Sequence, residues 1–78
     1  MKEIAQAILT RMVDYPEKVE VTEDVSENLI VVEVQVEKSD AGKVIGKQGS
    51  NINALRVLLK AIAAKDFQKR LLVQLKEG

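Results

Sequence analysis

Ile4, Ile8 and Met12, with Ala5, Leu9 and Val13 beside them, recur at helical spacing and predict one amphipathic helix. It is expected to end near Asp14, because Pro16 pushes Tyr15 out of helical geometry. The apolar period then shortens to two. Val19 and Val21 alternate with Lys18, Glu20 and Thr22, as in a half-buried strand, and the polar residues Glu23 to Asn28 predict a turn. Next, Ile30, Val32, Val34 and Val36 alternate with Val31, Glu33, Gln35 and Glu37 in a second, longer strand. So short a connection implies an antiparallel hairpin. One face is Val and Ile and is expected to be buried; the other is largely acidic and faces water.

The helical period returns after Glu37. Ser39 or Asp40 is placed to cap a short helix through Ala41 to Ile45. Gly46-Lys47-Gln48-Gly49 interrupts it, and a second helix is expected from Ser50 to about Lys65. Ile52, Leu55, Leu59 and Ile62 form one apolar stripe on that helix, and Ala54, Val57, Leu58 and Ala61 form another. A helix this apolar on two sides either lies under other elements or meets a partner. Leu71, Val73 and Leu75 then alternate with Leu72, Gln74 and Lys76 in a third strand. Strand, two helices and strand in succession suit a right-handed crossover, so strands two and three are expected to be parallel. The predicted fold is α+β in two layers, order α-β-β-α-α-β, with a three-stranded mixed sheet covered on one face by three helices. Residues 1–78 are expected to form one domain, and no linker, repeat or low-complexity segment divides them.

Composition narrows the chemistry. The chain has no Cys and no His, so disulfides and thiolate metal sites are excluded, as is the commonest general base. Clustered carboxylates that could share a pocket are not evident; Glu23-Asp24 and Glu33/Glu37 read as solvated charges on turn and strand. No enzyme, metal site, cofactor or small-molecule substrate is expected. Leu29 to Val36, the most apolar stretch, is too short to span a bilayer and contains Glu33 and Gln35. Lys2 and Glu3 do not open a signal peptide, so a cytoplasmic protein without membrane attachment is the expectation.

Formal charge is zero, but its distribution is uneven. Residues 14–40 carry −7 from nine acids and two bases, and residues 41–78 carry +6 from eight bases and two acids. Five bases and no acid fall between Ala41 and Lys65. One reading is a solvated helix face. The other is a local basic platform beside an acidic flank, which binds few phosphates and repels the rest.

The glycine loop carries the sharpest chemical signal. Two glycines framing Lys47 and Gln48 let a backbone pass close by, and the helix that follows presents N–H groups that attract anions. A Walker A loop is excluded, because only three residues separate Gly42 from Gly46 and Gln48 follows Lys47. A dinucleotide fingerprint needs other glycine offsets and a preceding strand. What remains is a helix-loop-helix in which Gly-x-x-Gly clamps a single-stranded backbone of about four nucleotides.

Val44-Ile45-Gly46-Lys47-Gln48-Gly49-Ser50-Asn51-Ile52, with Leu55 after it, resembles the signature of a KH domain. The element order, with an extra helix and strand before the core, is similar to the bacterial type II arrangement. The short chain, with Asp40-Ala41-Gly42-Lys43 leading into the loop, resembles the small stand-alone KH proteins of the KhpA group. The resemblance implies that Gly46 and Gly49 let a phosphodiester backbone approach, that Lys47 supplies a cation and that Gln48 makes a polar contact. It implies that the N–H groups of Ser50 and Asn51 face phosphate. It makes Val44, Ile45 and Ile52 the apolar floor on which bases lie, with Leu55 supporting it. Lys43 is a further basic candidate, and Arg56 and Lys60 are weaker ones.

The implied ligand is single-stranded RNA, bound weakly and with tolerance for A and U. One Tyr and one Phe leave no aromatic platform of the RRM kind, which KH recognition does not need. The stripe Ala54, Val57, Leu58 and Ala61 has small residues that permit close helix approach, which suggests a homodimer or a heterodimer with a second RNA-binding protein. The resemblance implies pairing with a larger KH-containing partner of the KhpB (Jag) kind, RNA chaperoning, and a link to cell elongation and cell-wall control. Two other functions fit the same fold. One is a protein-interaction module without RNA contact, favoured by neutrality and the acidic strand face. The other is a ribosome-assembly factor acting on structured RNA.

Overall fold

The computed structural model describes residues 1–77. Its elements are α1 (Lys2–Met12), β1 (Glu20–Val25), β2 (Leu29–Val36), α2 (Ala41–Ile45), α3 (Ser50–Ile62) and β3 (Arg70–Glu77). Single 3-10 turns lie at Pro16–Lys18, Lys38–Asp40 and Lys47–Gly49. The sheet order is β1-β2-β3, with β2 central, antiparallel to β1 and parallel to β3. This is the expected α+β arrangement, with three helices over a mixed sheet.

The central strand shows why the layers meet as they do. Ile30, Val32, Val34 and Val36 are buried, while Leu29, Val31, Glu33 and Gln35 between them are only partly covered. A period of two puts all four branched side chains on the helix side. There they meet Val21 of β1, Leu71 and Val73 of β3, Ala5 and Leu9 of α1, and Ile52, Leu55 and Leu59 of α3. Each fully buried side chain of this size contributes about 1.5–3 kcal/mol.

Three local expectations are corrected. The turn predicted over Glu23 to Asn28 is shorter, because Glu23 and Asp24 pair with Val32 and Val31 as part of β1. Charged residues are tolerated on an edge strand, where they also discourage pairing with another chain. Ser26 closes the true turn, its N–H and hydroxyl both donating to the Leu29 carbonyl at 2.8 and 3.0 Å.

Neither Ser39 nor Asp40 caps α2 through its side chain. The Asp40 carboxylate, 1 % exposed, instead accepts the backbone N–H groups of Asp14 and Tyr15, each at 3.1 Å. It thereby ties the end of α1 to the start of α2. Finally, α3 ends at Ile62 rather than Lys65, and the chain continues through a wider π-helical turn over Ala63–Phe67. Gln68 then takes a left-handed conformation, and the Lys69 N–H closes back on the Ala63 carbonyl at 3.2 Å. Lys69 Nζ donates to the Ser26 carbonyl at 2.7 Å and the Arg70 N–H to the Asn28 carbonyl at 3.0 Å, which seats β3 beside the hairpin turn.

Candidate nucleic-acid interface

The loop between α2 and α3 is shaped by three residues with positive φ: Gly46 at 74°, Gln48 at 56° and Gly49 at 79°. At Gly46 the pairing of φ 74° with ψ −179° lies in a region that essentially only glycine occupies. Its N–H donates to the Gly42 carbonyl at 2.9 Å and ends α2. Gly49 stands in the left-handed region just before α3 and donates to the Gly46 carbonyl at 3.3 Å. Between these glycines Lys47 and Gln48 are exposed at the tip of the loop.

Lys47 has no ion-pair partner among the described residues. Its ammonium is therefore available to an incoming anion at the tip. Lys43 differs. Its ammonium bonds the Asp14 carboxylate, and that hydrogen bond, outweighing desolvation and reinforced by the charges of Asp14 and Asp40, holds the Lys43 pKa above the usual lysine value. The sequence places Lys43 among the RNA-facing bases, but in the fold it is engaged toward α1.

Two further expectations change, one through packing and one through hydrogen bonding. Val44 is 0 % exposed and Ile52 6 %, so both belong to the core and present almost nothing to a base. Ile45, half-buried, is the member of the expected floor that retains surface. The N–H of Ser50 is used within the loop, donating to the Lys47 carbonyl, so it is not free to face phosphate.

The Asn51 side chain has a role that sequence reasoning missed. Its Nδ2 donates to the Lys43 carbonyl at 2.8 Å, across the loop. It also covers Gly46, where an added Cβ would stand 2.6 Å from Asn51 Cγ. No sequence signal marks this pairing, since Asn near a helix start reads equally well as a local cap.

At the far end of α3, Lys60 and Ala64 face Lys69, Arg70 and Leu71 across an open cleft of about 500 Å³. Thirteen residues of α3 put about 20 Å between this basic end and the glycine loop. Lys60 is one of the weaker sequence candidates; Lys69 and Arg70 carry no sequence signal, because their proximity to Lys60 arises only when β3 docks beside α3. Arg56 is half-buried and donates to Asn53 Oδ1 at 3.2 Å.

The stripe read from the sequence as an interaction face is exposed in full. Val57 is 69 % and Leu58 48 % exposed, with Ala54 and Ala61 exposed beside them. Ile8 and Met12 of α1 adjoin Ala54 and Leu58 along a shallow groove. Among the described residues no helix is long and apolar enough to cross a membrane, and no group of His, Cys, Asp or Glu is disposed to hold a metal ion.

Residues 2–75 match the family model described as KhpA/KhpB, KH domain. The chain is 45 % identical over 69 residues to the RNA-binding protein KhpA of Clostridium perfringens, covering 88 % of this chain and 92 % of that one. It is 41 % identical over 75 residues to the KhpA of Clostridium acetobutylicum, covering 96 % and 99 %. With the KhpA of Aquifex aeolicus it shares 40 % identity over 77 residues, covering 99 % and 96 %.

Proposed function

The chain belongs to the KhpA/KhpB KH-domain family, and from that premise we propose that it binds single-stranded RNA by its Gly46-Lys47-Gln48-Gly49 loop. The observation that carries this reading is the unpaired Lys47 at the tip of a loop whose flanking glycines bring its backbone within reach of a phosphate. RNA enters over Lys47 and Gln48, contacts the exposed edge of Ile45, and runs along α3 toward Lys60, Lys69 and Arg70. The names of the relatives, each an RNA-binding protein, support the same ligand class. Titration of a short A/U-rich oligoribonucleotide by fluorescence anisotropy tests it. Replacing Lys47 and Gln48 together by Asp is expected to abolish binding without lowering the melting temperature; an unchanged titration defeats the assignment.

A single loop of this kind binds weakly, and pairing of modules raises avidity without new contacts to RNA. The exposed stripe Ala54, Val57, Leu58 and Ala61 supports a protein partner: a second copy of the chain, or a larger KH-containing protein of the KhpB type, which the family name sets beside KhpA. In this reading the protein works in the cytoplasm as a one-domain RNA chaperone or post-transcriptional regulator, with a place in cell elongation and cell-wall control. Crosslinking the chain to RNA in growing cells and sequencing what is bound tests that level. Recovery of ribosomal RNA alone would favour a ribosome-assembly role instead.

A further inference from the structure

We propose that Asn51 is the positioning residue of the glycine loop: its side-chain amide, bonded to the Lys43 carbonyl and laid over Gly46, holds the loop in its RNA-receiving shape before RNA arrives. The proposal rests on the RNA-binding reading above. It concerns the side chain, whereas the sequence resemblance assigns a contact to the Asn51 backbone N–H.

Consider first what α2 leaves unsatisfied. A helix of five residues ends in carbonyls with no helical N–H to receive. Gly46 serves the Gly42 carbonyl, and Asn51 Nδ2 serves that of Lys43 from eight residues further along. Asn51 itself stands in the first turn of α3. One side chain therefore joins the helix that enters the loop to the helix that leaves it.

The same side chain closes the space above Gly46. A Cβ there would approach Asn51 Cγ to 2.6 Å and Cβ to 2.9 Å, so the Gly46 backbone and the Asn51 side chain lie in close apposition. The loop also needs an external hold. Gln48 is held at φ 56°, a conformation disfavoured for a residue with a side chain, and the Gly49 to Gly46 bond at 3.3 Å is long. Neither Lys47 nor Gln48 has a side-chain hydrogen bond among the described residues. Asn51, from the first turn of α3, holds the entering side of the loop at Lys43 and Gly46.

Amide hydrogen exchange by NMR on the RNA-free protein, together with RNA titration, tests this on the full chain. Asn51→Leu keeps the bulk and removes the donor. Asn51→Asp keeps the shape and places a negative charge in the first turn of α3, which the helix dipole favours, but offers the Lys43 carbonyl only acceptors. In the wild type, one Asn51 side-chain amide proton is expected to exchange slowly. In both variants the two bonded amides of the loop, those of Gly46 and Gly49, are expected to exchange faster, by roughly five- to tenfold for one hydrogen bond, while the core amides of β2 stay protected. RNA affinity of Asn51→Leu is expected to fall by a similar factor of roughly five to ten.

Unchanged loop exchange in both variants overturns the proposal. So does lost affinity with an unchanged loop, which would put Asn51 on the RNA itself, and so does a loosened loop with undiminished affinity. Should Asn51→Leu fail to fold, Asn51→Ser takes its place. If the wild type does not bind RNA at all, the functional reading falls, and loop exchange in the RNA-free protein alone decides whether Asn51 is the clamp.

Discussion

A Cβ added at Gly46 would lie 2.6 Å from Asn51 at φ 74°, whereas one added at Gly49 would meet only Asn53 Nδ2 at 3.5 Å. The two glycines are therefore needed for different reasons. Gly49→Ala carries the left-handed penalty alone and is expected to cost about 1–2 kcal/mol in urea unfolding. Gly46→Ala adds a collision to a conformation that glycine almost alone adopts, and is expected to cost more than Gly49→Ala in the same measurement. Gly42 contrasts with both, since nothing lies within 4 Å of its notional Cβ and its φ is helical. Gly42→Ala is expected to stabilise the protein by about 0.5–1 kcal/mol, read as a higher melting temperature. A stabilised variant with weaker RNA binding would mark the outer face of α2 as a place where the ligand approaches the backbone. At Asp40 the same scale decides stability. Asp40→Ala leaves two N–H groups without their buried acceptor and is expected to cost about 2–4 kcal/mol, against a small effect for the exposed Asp24→Ala.

At the scale of elements, α3 does two jobs with opposite faces. Its inner face holds the layers together through Ile52, Leu55 and Leu59, and Leu59 is 0 % exposed. Leu59→Ala is expected to destabilise by about 2–5 kcal/mol, from lost transfer energy and the cavity left behind. Its outer stripe is largely exposed, Val57 most of all at 69 %. Val57→Glu is expected to leave the melting temperature of the isolated chain nearly unchanged and to abolish self-association or partner binding in sedimentation. A chain that sediments as a monomer at high concentration, with or without that charge, would remove the pairing proposal. The helix periods, the alternation in β2 and the parallel crossover are all legible in the sequence, because a period of 2 or 3.6 reports directly which side chains face the core. The ends of elements are less so. Glu23 and Asp24 look like turn residues and become strand, because β2 offers them a hydrogen-bonded edge.

Across the whole molecule, charge of opposite sign is sorted rather than balanced locally. The acidic residues of 14–40 lie largely on the hairpin and its flanks, while the bases after Ala41 line the loop, α3 and the start of β3. Neutrality overall limits how many phosphates can be held. If three are contacted, the salt dependence of the association constant has a logarithmic slope of about −2, so affinity falls about fifteenfold between 50 and 200 mM salt. A slope near zero in the anisotropy titration would indicate that cations do not carry the binding. A steeper one, past about −3, would recruit bases beyond Lys47, Lys60, Lys69 and Arg70.

What the amino-acid order determines by itself is periodicity and local chemistry. It contains the apolar stripes, the strand alternation and the glycine-framed Lys47, because each depends on neighbours within a few positions, and the order of the elements then sets the layers and strand directions. Tertiary structure alone decides which polar groups meet. Asp40 turns from α2 to receive Asp14 and Tyr15, Asp14 engages the Lys43 ammonium, and Asn51 reaches back to the Lys43 carbonyl. The physical reason is that a hydrogen-bonding group satisfies itself with the nearest partner in space, and distance in space is set only when the apolar faces have docked.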